Sequence, residues 1–272
     1  MFFRQIEDIK STYNTNFSSV QKTDSVKVSD DSIFVRYNEM NKNKIMLDGK
    51  VGNFRQAYGV GDCWLLAPII ALNNTEAGKE VLKNLIKPQE DGTVKVRLEG
   101  VNKEYTISAK EIRRNKPVLA QGDDDVVVIE LAVKRYRREL INSGNFTKKL
   151  DPSYKDYCAL CIEENPLASG NTDEAIFLLT GKKPTAVSYT KEQFSDKDIL
   201  NLSPDKILDL YSKDPQKYAC CLGFGIHGYA VVGIEGEKVI LRNPFEPEND
   251  IKMNRQELVK KIIAITCTKI TD

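Results

Sequence analysis

Two residue types in this chain can carry out nucleophilic chemistry on a carbonyl, and each stands in a setting that singles it out. The stretch Gln56-Ala57-Tyr58-Gly59-Val60-Gly61-Asp62-Cys63-Trp64-Leu65-Leu66-Ala67 places a cysteine at a loop-to-helix junction, with two glycines freeing the backbone before it and an apolar run after it. A thiol in the first turn of a buried helix meets unpaired N–H groups and the positive end of the helix dipole, both of which favour thiolate over thiol. Cys63 is therefore the candidate nucleophile, with a lowered pKa expected. Attack on a carbonyl also needs a proton carrier, and histidine is the side chain best poised near neutral pH. The chain has one, His227, in Gly223-Phe224-Gly225-Ile226-His227-Gly228-Tyr229-Ala230-Val231-Val232-Gly233, where apolar alternation indicates a buried strand starting near the histidine. Glu235-Gly236-Glu237-Lys238 then reads as a hairpin turn, which returns Asn243 of Leu241-Arg242-Asn243-Pro244-Phe245 close to the position paired with His227. A neutral amide there can accept from the imidazole and fix its orientation without adding charge.

In the order Cys, His, Asn, these segments resemble the papain-like cysteine peptidases, and among them the calpain family. The resemblance rests on Gly61-Asp62-Cys63-Trp64-Leu65-Leu66-Ala67, on the His227 strand and on Arg242-Asn243-Pro244-Phe245. Ile129-Glu130-Leu131-Ala132-Val133-Lys134-Arg135-Tyr136 is similar to a helix of the family's first lobe, and Ser169-Gly170-Asn171-Thr172-Asp173-Glu174-Ala175 to the segment opening its second. About residues 50 to 268 are covered. The resemblance implies an isolated protease core of α+β class: a papain-like two-lobed fold with a helical lobe, a β-rich lobe and the active site in the cleft between. It implies a cysteine endopeptidase acting through Cys63, His227 and Asn243, in limited proteolysis of protein or peptide substrates. Same-fold acyl transfer, isopeptide hydrolysis and a non-catalytic protein-binding module are the alternatives.

The chain departs from the family pattern at three positions. The oxyanion-hole glutamine is Gln56, one residue further from the cysteine than the family spacing. The aromatic after Asn-Pro is Phe245 where calpains carry tryptophan, and Pro68 stands where the family has a small residue, so that a bend in the cysteine helix is expected. The family commonly carries calcium, and the resemblance implies Asn53 and Glu130 as the first-lobe ligands. With an amide where a carboxylate is usual, that site is weakened; no cofactor is required, and calcium is possible but doubtful.

Composition narrows the remaining classes. The 272 residues include 40 basic and 39 acidic side chains, so there is no global electrostatic footprint for nucleic acid or an anionic membrane. Neither a secretory signal nor a membrane-spanning run is apparent, and a cytoplasmic protein is expected, with export by a signal-independent route left open. The six cysteines lack a disulfide-framework pattern. Cys158-Ala159-Leu160-Cys161 has half the spacing of a zinc site but no second pair to complete it. Asp123-Asp124-Asp125 reads as a helix start, where acidic side chains suit the dipole, and not as a metal cluster.

The organisation expected is a polar extension over residues 1–45, a helical lobe with Cys63 over 46–168 and a β-rich lobe with His227 and Asn243 over 169–272. Helices are expected at about 63–73, 77–86, 123–144, 172–181, 203–211 and after Asn254. A hairpin is expected over Thr93–Ile107, and strands near 185–190, 218–223, 228–234, 238–243 and 262–268.

Overall fold

The computed structural model describes residues 45–146, 164–189 and 196–271. The polar extension, apart from its last residue, and the Cys158-to-Cys161 pair lie outside the described residues. In chain order the helices are α1 (Cys63–Asn73), α2 (Glu76–Leu85), α3 (Ala109–Asn115), α4 (Asp124–Asn142), α5 (Thr172–Thr180), α6 (Pro204–Lys213) and α7 (Arg255–Val259). The strands are β1 (Ile86–Pro88), β2 (Val94–Leu98), β3 (Lys103–Ile107), β4 (Ala186–Tyr189), β5 (Leu200–Asn201), β6 (Tyr218–Phe224), β7 (His227–Glu235), β8 (Lys238–Asn243), β9 (Glu246–Asn254) and β10 (Ile262–Lys269). The fold is α+β. One sheet has the order β1-β2-β3 and a larger one the order β5-β4-β10-β6-β7-β8-β9, antiparallel except for the β4–β5 pair. Among the described residues no helix is long and apolar enough to cross a membrane.

Local signals set these boundaries. The Thr75 hydroxyl accepts from Gly78 N at 3.0 Å to start α2, Asp123 accepts from Asp125 N at 2.8 Å to start α4, and Asn254 accepts from Gln256 N at 2.9 Å to start α7. Pro204 takes the first position of α6, where a missing N–H costs nothing. Helix α5 closes on Gly181 at φ 70°, a left-handed conformation that glycine adopts without strain. Helix α1 is different in kind, since Trp64 to Leu72 are all buried and it has no polar face. Pro68 lies inside it, and the helix continues through the proline to Asn73.

Period-two alternation then builds a layered arrangement around the large sheet. Ala219, Cys221 and Ala230 face the core that contains α1, while Cys220, Leu222 and Val231 face a second core with Ile207, Leu208 and Tyr211 of α6 and Leu258 of α7. The helix carrying Cys63 is thus packed directly across β6 and β7. Helix α5 stands in the stretch read as strand-rich, yet Ala175, Ile176, Leu178 and Leu179 pack in the α1 core. Strands β1, β5 and β9 and helix α3 were not expected. Strand β9, Glu-Pro-Glu-Asn-Asp-Ile-Lys-Met-Asn, is an exposed edge with no buried residue, and charge and proline are what protect such an edge from further pairing.

Behind the cysteine, segment 165–170 braces the loop that leads into α1. Asn165 Nδ2 donates to Val60 O at 3.0 Å and Ser169 N to Gly61 O at 3.0 Å, and Trp64 Nε1 donates to Leu167 O at 2.7 Å. The fully buried Arg137 guanidinium lies 4.2 Å from the Trp64 ring centroid and donates to Pro166 O and Ser169 O. Gly170 is pressed on the same indole, and a Cβ there would overlap it. Gly170→Ala should therefore cost about 1–3 kcal/mol by overpacking. It should lower the melting temperature and shift the fluorescence of Trp64, the only tryptophan. An unchanged melting curve and emission maximum would contradict this packing.

Candidate active site

The site begins with the meeting of a helix end and a strand. Gly228 has no side chain, and a Cβ on it would lie 3.2 Å from Cys63 O and 3.6 Å from Trp64 N. The backbone of β7 can therefore come up against the first turn of α1, where the Gly228 N–H reaches the Cys63 thiol and favours its thiolate. The residue before Gly228 is His227. Phe224 pairs with His227 across the β6–β7 turn, and the β7–β8 hairpin returns Asn243 beside it. His227 Nε2 and Asn243 Oδ1 lie 2.7 Å apart, and Phe245 N donates to the same oxygen at 3.0 Å. Two donors converging on one atom identify it as the amide oxygen, so Nε2 carries the proton and Nδ1 is left as the basic nitrogen.

The structure thus hydrogen-bonds His227 to Asn243 and sets the backbone next to His227 against Cys63, and Gln56 joins the same corner through Pro244. Gln56 is buried, its N–H donates to Pro244 O at 2.8 Å, and its amide faces the Asp62 carboxyl. An amide nitrogen has two hydrogens, so a contact with Asp62 still leaves one to offer. The Gln56-to-Cys63 loop turns over Tyr58 and Gly59, where Gly59 has φ 81°. Phe245 stacks on the imidazole with ring centroids 5.2 Å apart and planes at 15°, Tyr58 stacks on Phe245 at 5.5 Å and 21°, and Tyr229 meets the imidazole edge-on at 4.9 Å.

The electrostatics correct one expectation. Cys63 is half-buried, and burial pushes its thiol up to about 11; the Gly228 N–H pulls the other way and the neighbouring Asp62 carboxyl pushes it further up. The helix N-terminus is present, but removal from water outweighs it. Burial lowers His227 below the ordinary imidazole range while its hydrogen bond to Asn243 opposes that shift. Burial favours the neutral form of both thiol and imidazole.

No protein-family model and no curated protein matches the chain. What the site can do is therefore argued from its own residues.

The largest feature that sequence reading missed is a buried acid pair behind the nucleophile. Asp62 and Glu130 are fully buried and face each other, with Glu130 Oε2 accepting from Ala120 N at 2.9 Å. The Asp62 oxygens and Glu130 Oε1 make no hydrogen bond of good geometry. Burial raises both carboxyls, Glu130 well above the usual range and further still through Asp62. The calcium site implied at Asn53 and Glu130 fits poorly: Asn53 is exposed, Glu130 is enclosed with one oxygen already used, and its surroundings favour a proton over a charge. Among the described residues, no three His, Cys, Asp or Glu side chains are grouped to hold a metal ion. The signal that could have revealed the pair was the position of Glu130, flanked by Val126 to Ile129 and Leu131 to Val133 in a run with no polar face.

Raised carboxyl pKa values make stability fall with rising pH. The folded state keeps protons that the unfolded chain releases above about pH 4, so the stabilisation is complete below that value and is lost as pH rises toward the folded pKa values. Glu130→Gln keeps an acceptor for Ala120 N and has no proton to lose. Its denaturation midpoint should fall less than that of the unsubstituted protein between about pH 5 and about pH 8, and should be the higher of the two at the upper end. A variant less stable at about pH 8 would overturn the account of the acid pair.

Proposed function

We propose that the chain is a cysteine endopeptidase of the papain-like, calpain-related type, with a two-lobed fold in which α1 presents Cys63 and the strand-rich part presents His227 and Asn243. The observation that carries the reading is the convergence at Gly228. One N–H reaches the thiol, and the adjacent imidazole is held through Nε2 by an amide whose oxygen is fixed by a second donor. A non-catalytic module has no physical need for that combination.

The chemistry follows from the protonation states. A thiol and an imidazole that burial holds toward their neutral forms call for general-base catalysis: Nδ1 of His227 would take the proton from Cys63 as Sγ bonds to the carbonyl carbon and the π electrons move to oxygen. The Cys63 backbone N–H and the Gln56 amide would meet that oxyanion, and one such donor is worth about 10²–10³ in rate. The protonated imidazole then gives its proton to the amine as the C–N bond breaks, leaving a thioester. Water attacks the thioester with His227 again as the base, which restores the thiol. Asn243 accepts from Nε2–H throughout and keeps Nδ1 aimed without adding charge. An amine in place of water would give acyl transfer by the same steps.

The test is turnover of casein or of a peptide library. Cys63→Ala should abolish cleavage, His227→Ala should lower kcat by about 10⁴ or more, and Asn243→Ala should cost less than His227→Ala, since orientation is lost while the base remains. Cleavage at the original rate by Cys63→Ala would dispose of the mechanism.

A further inference from the structure

The Gln56 loop and the Asn243-Pro244-Phe245 corner are joined twice. One link is the backbone bond from Gln56 N to Pro244 O at 2.8 Å. The other is a column of three rings, His227, Phe245 and Tyr58, stacked with successive centroids 5.2 and 5.5 Å apart and planes within 21°. Tyr58 is an unusual member of such a column because 58% of its surface is exposed. It is nevertheless held from its own loop: Arg55 Nη2 donates to the Tyr58 hydroxyl at 3.3 Å, and the guanidinium lies 5.9 Å from the ring centroid. Arg55 is itself buried, and its N–H and C=O both pair with Gln121 at 2.8 Å. An anchored residue thus sets an exposed aromatic on the outer face of the ring that covers the imidazole.

We propose that Tyr58 is a positioning residue for the His227–Asn243 pair: stacked on Phe245, it holds that ring flat on the imidazole and keeps water from the Nε2–H···Oδ1 bond. Tyr58 acts through Phe245, whose own N–H shares the Asn243 oxygen, so a Phe245 that tilts disturbs the ring cover and the amide together. The catalytic consequence rests on the proposed acylation chemistry, but the positioning itself does not.

His227 is the only histidine, so its ring protons give an unambiguous nuclear magnetic resonance signature that needs no turnover. In the full chain the His227 Cε1–H should be displaced upfield by the stacked Phe245 ring, and the Nε2–H should exchange slowly with water. Tyr58→Ala and Tyr58→Leu should both reduce the upfield displacement and speed Nε2–H exchange by about tenfold, the size of one aromatic contact. Tyr58→Phe should retain both features, and the melting temperature should change little because the side chain is largely exposed. If the enzyme reading holds, kcat should fall by the same factor of about ten in Tyr58→Ala with KM little altered. Unchanged shift and exchange in both truncations, or a Tyr58→Phe variant that behaves like alanine, would overturn the proposal. Loss of the signature with no turnover in any protein would leave the positioning role standing and remove the peptidase reading.

Discussion

The approach of the first turn of α1 to β7 at Gly228 is the contact on which the rest of the structure depends. It is backbone against backbone, with a would-be Cβ only 3.2 Å from Cys63 O, and it brings an N–H to the thiol next to the single histidine. Helix α1 can lie there because it is apolar on every side and packs across β6 and β7 while α2 and α5 pack against its other sides. The sheet contributes position through pairing alone, since His227 opens β7 and Asn243 closes β8, and one hairpin brings their side chains within hydrogen-bond reach. Segment 165–170, gripped by Arg137, then fixes the loop from behind.

Burial governs the charge state of this junction more than the helix dipole does. A helix N-terminus favours negative charge near it, yet Asp62, Glu130 and Cys63 are all raised because each is withdrawn from water. The Asp62 carboxyl pushes the neighbouring thiol up as well, and burial, by favouring the neutral form of Asp62, weakens that push. The neutral Asn243 orients His227 without a charge that the buried surroundings would penalise. Burial thus favours an uncharged thiol and an uncharged imidazole over a preformed ion pair.

Local patterns carried much of this fold into the sequence. The helix at Cys63–Asn73, the hairpin of β2 and β3, the capped helix after Asp123 and the strands around His227 and Asn243 all follow from periodicity, caps and turns that neighbouring residues decide among themselves. Strand β9 was missed because its nine residues bury nothing and, among the described residues, it pairs with β8 alone, so no alternation marks it. The Asp62–Glu130 pair, the Arg137 clamp and the Tyr58–Phe245 stack were missed for a different reason. Each joins residues from separate elements, and a charged residue in a helix or a tyrosine in a loop has no local feature that names its distant partner. The raised thiol belongs with these, because the dipole is local to α1 whereas the desolvation comes from the whole packed junction.

The most direct test of the central claim, that Cys63 and His227 work as one unit, is mass-spectrometric mapping of the cysteines after brief exposure to a peptidyl epoxide at neutral pH. Epoxide opening by the thiol is the step in which a base must take the sulfur's proton as the bond forms. The account predicts labelling concentrated on Cys63 in the unsubstituted protein and lost in His227→Ala, with Cys220, Cys221 and Cys267 protected in both by their burial. Labelling of Cys63 at the same rate with and without His227, or no labelling of Cys63 under conditions in which other cysteines react, would contradict it.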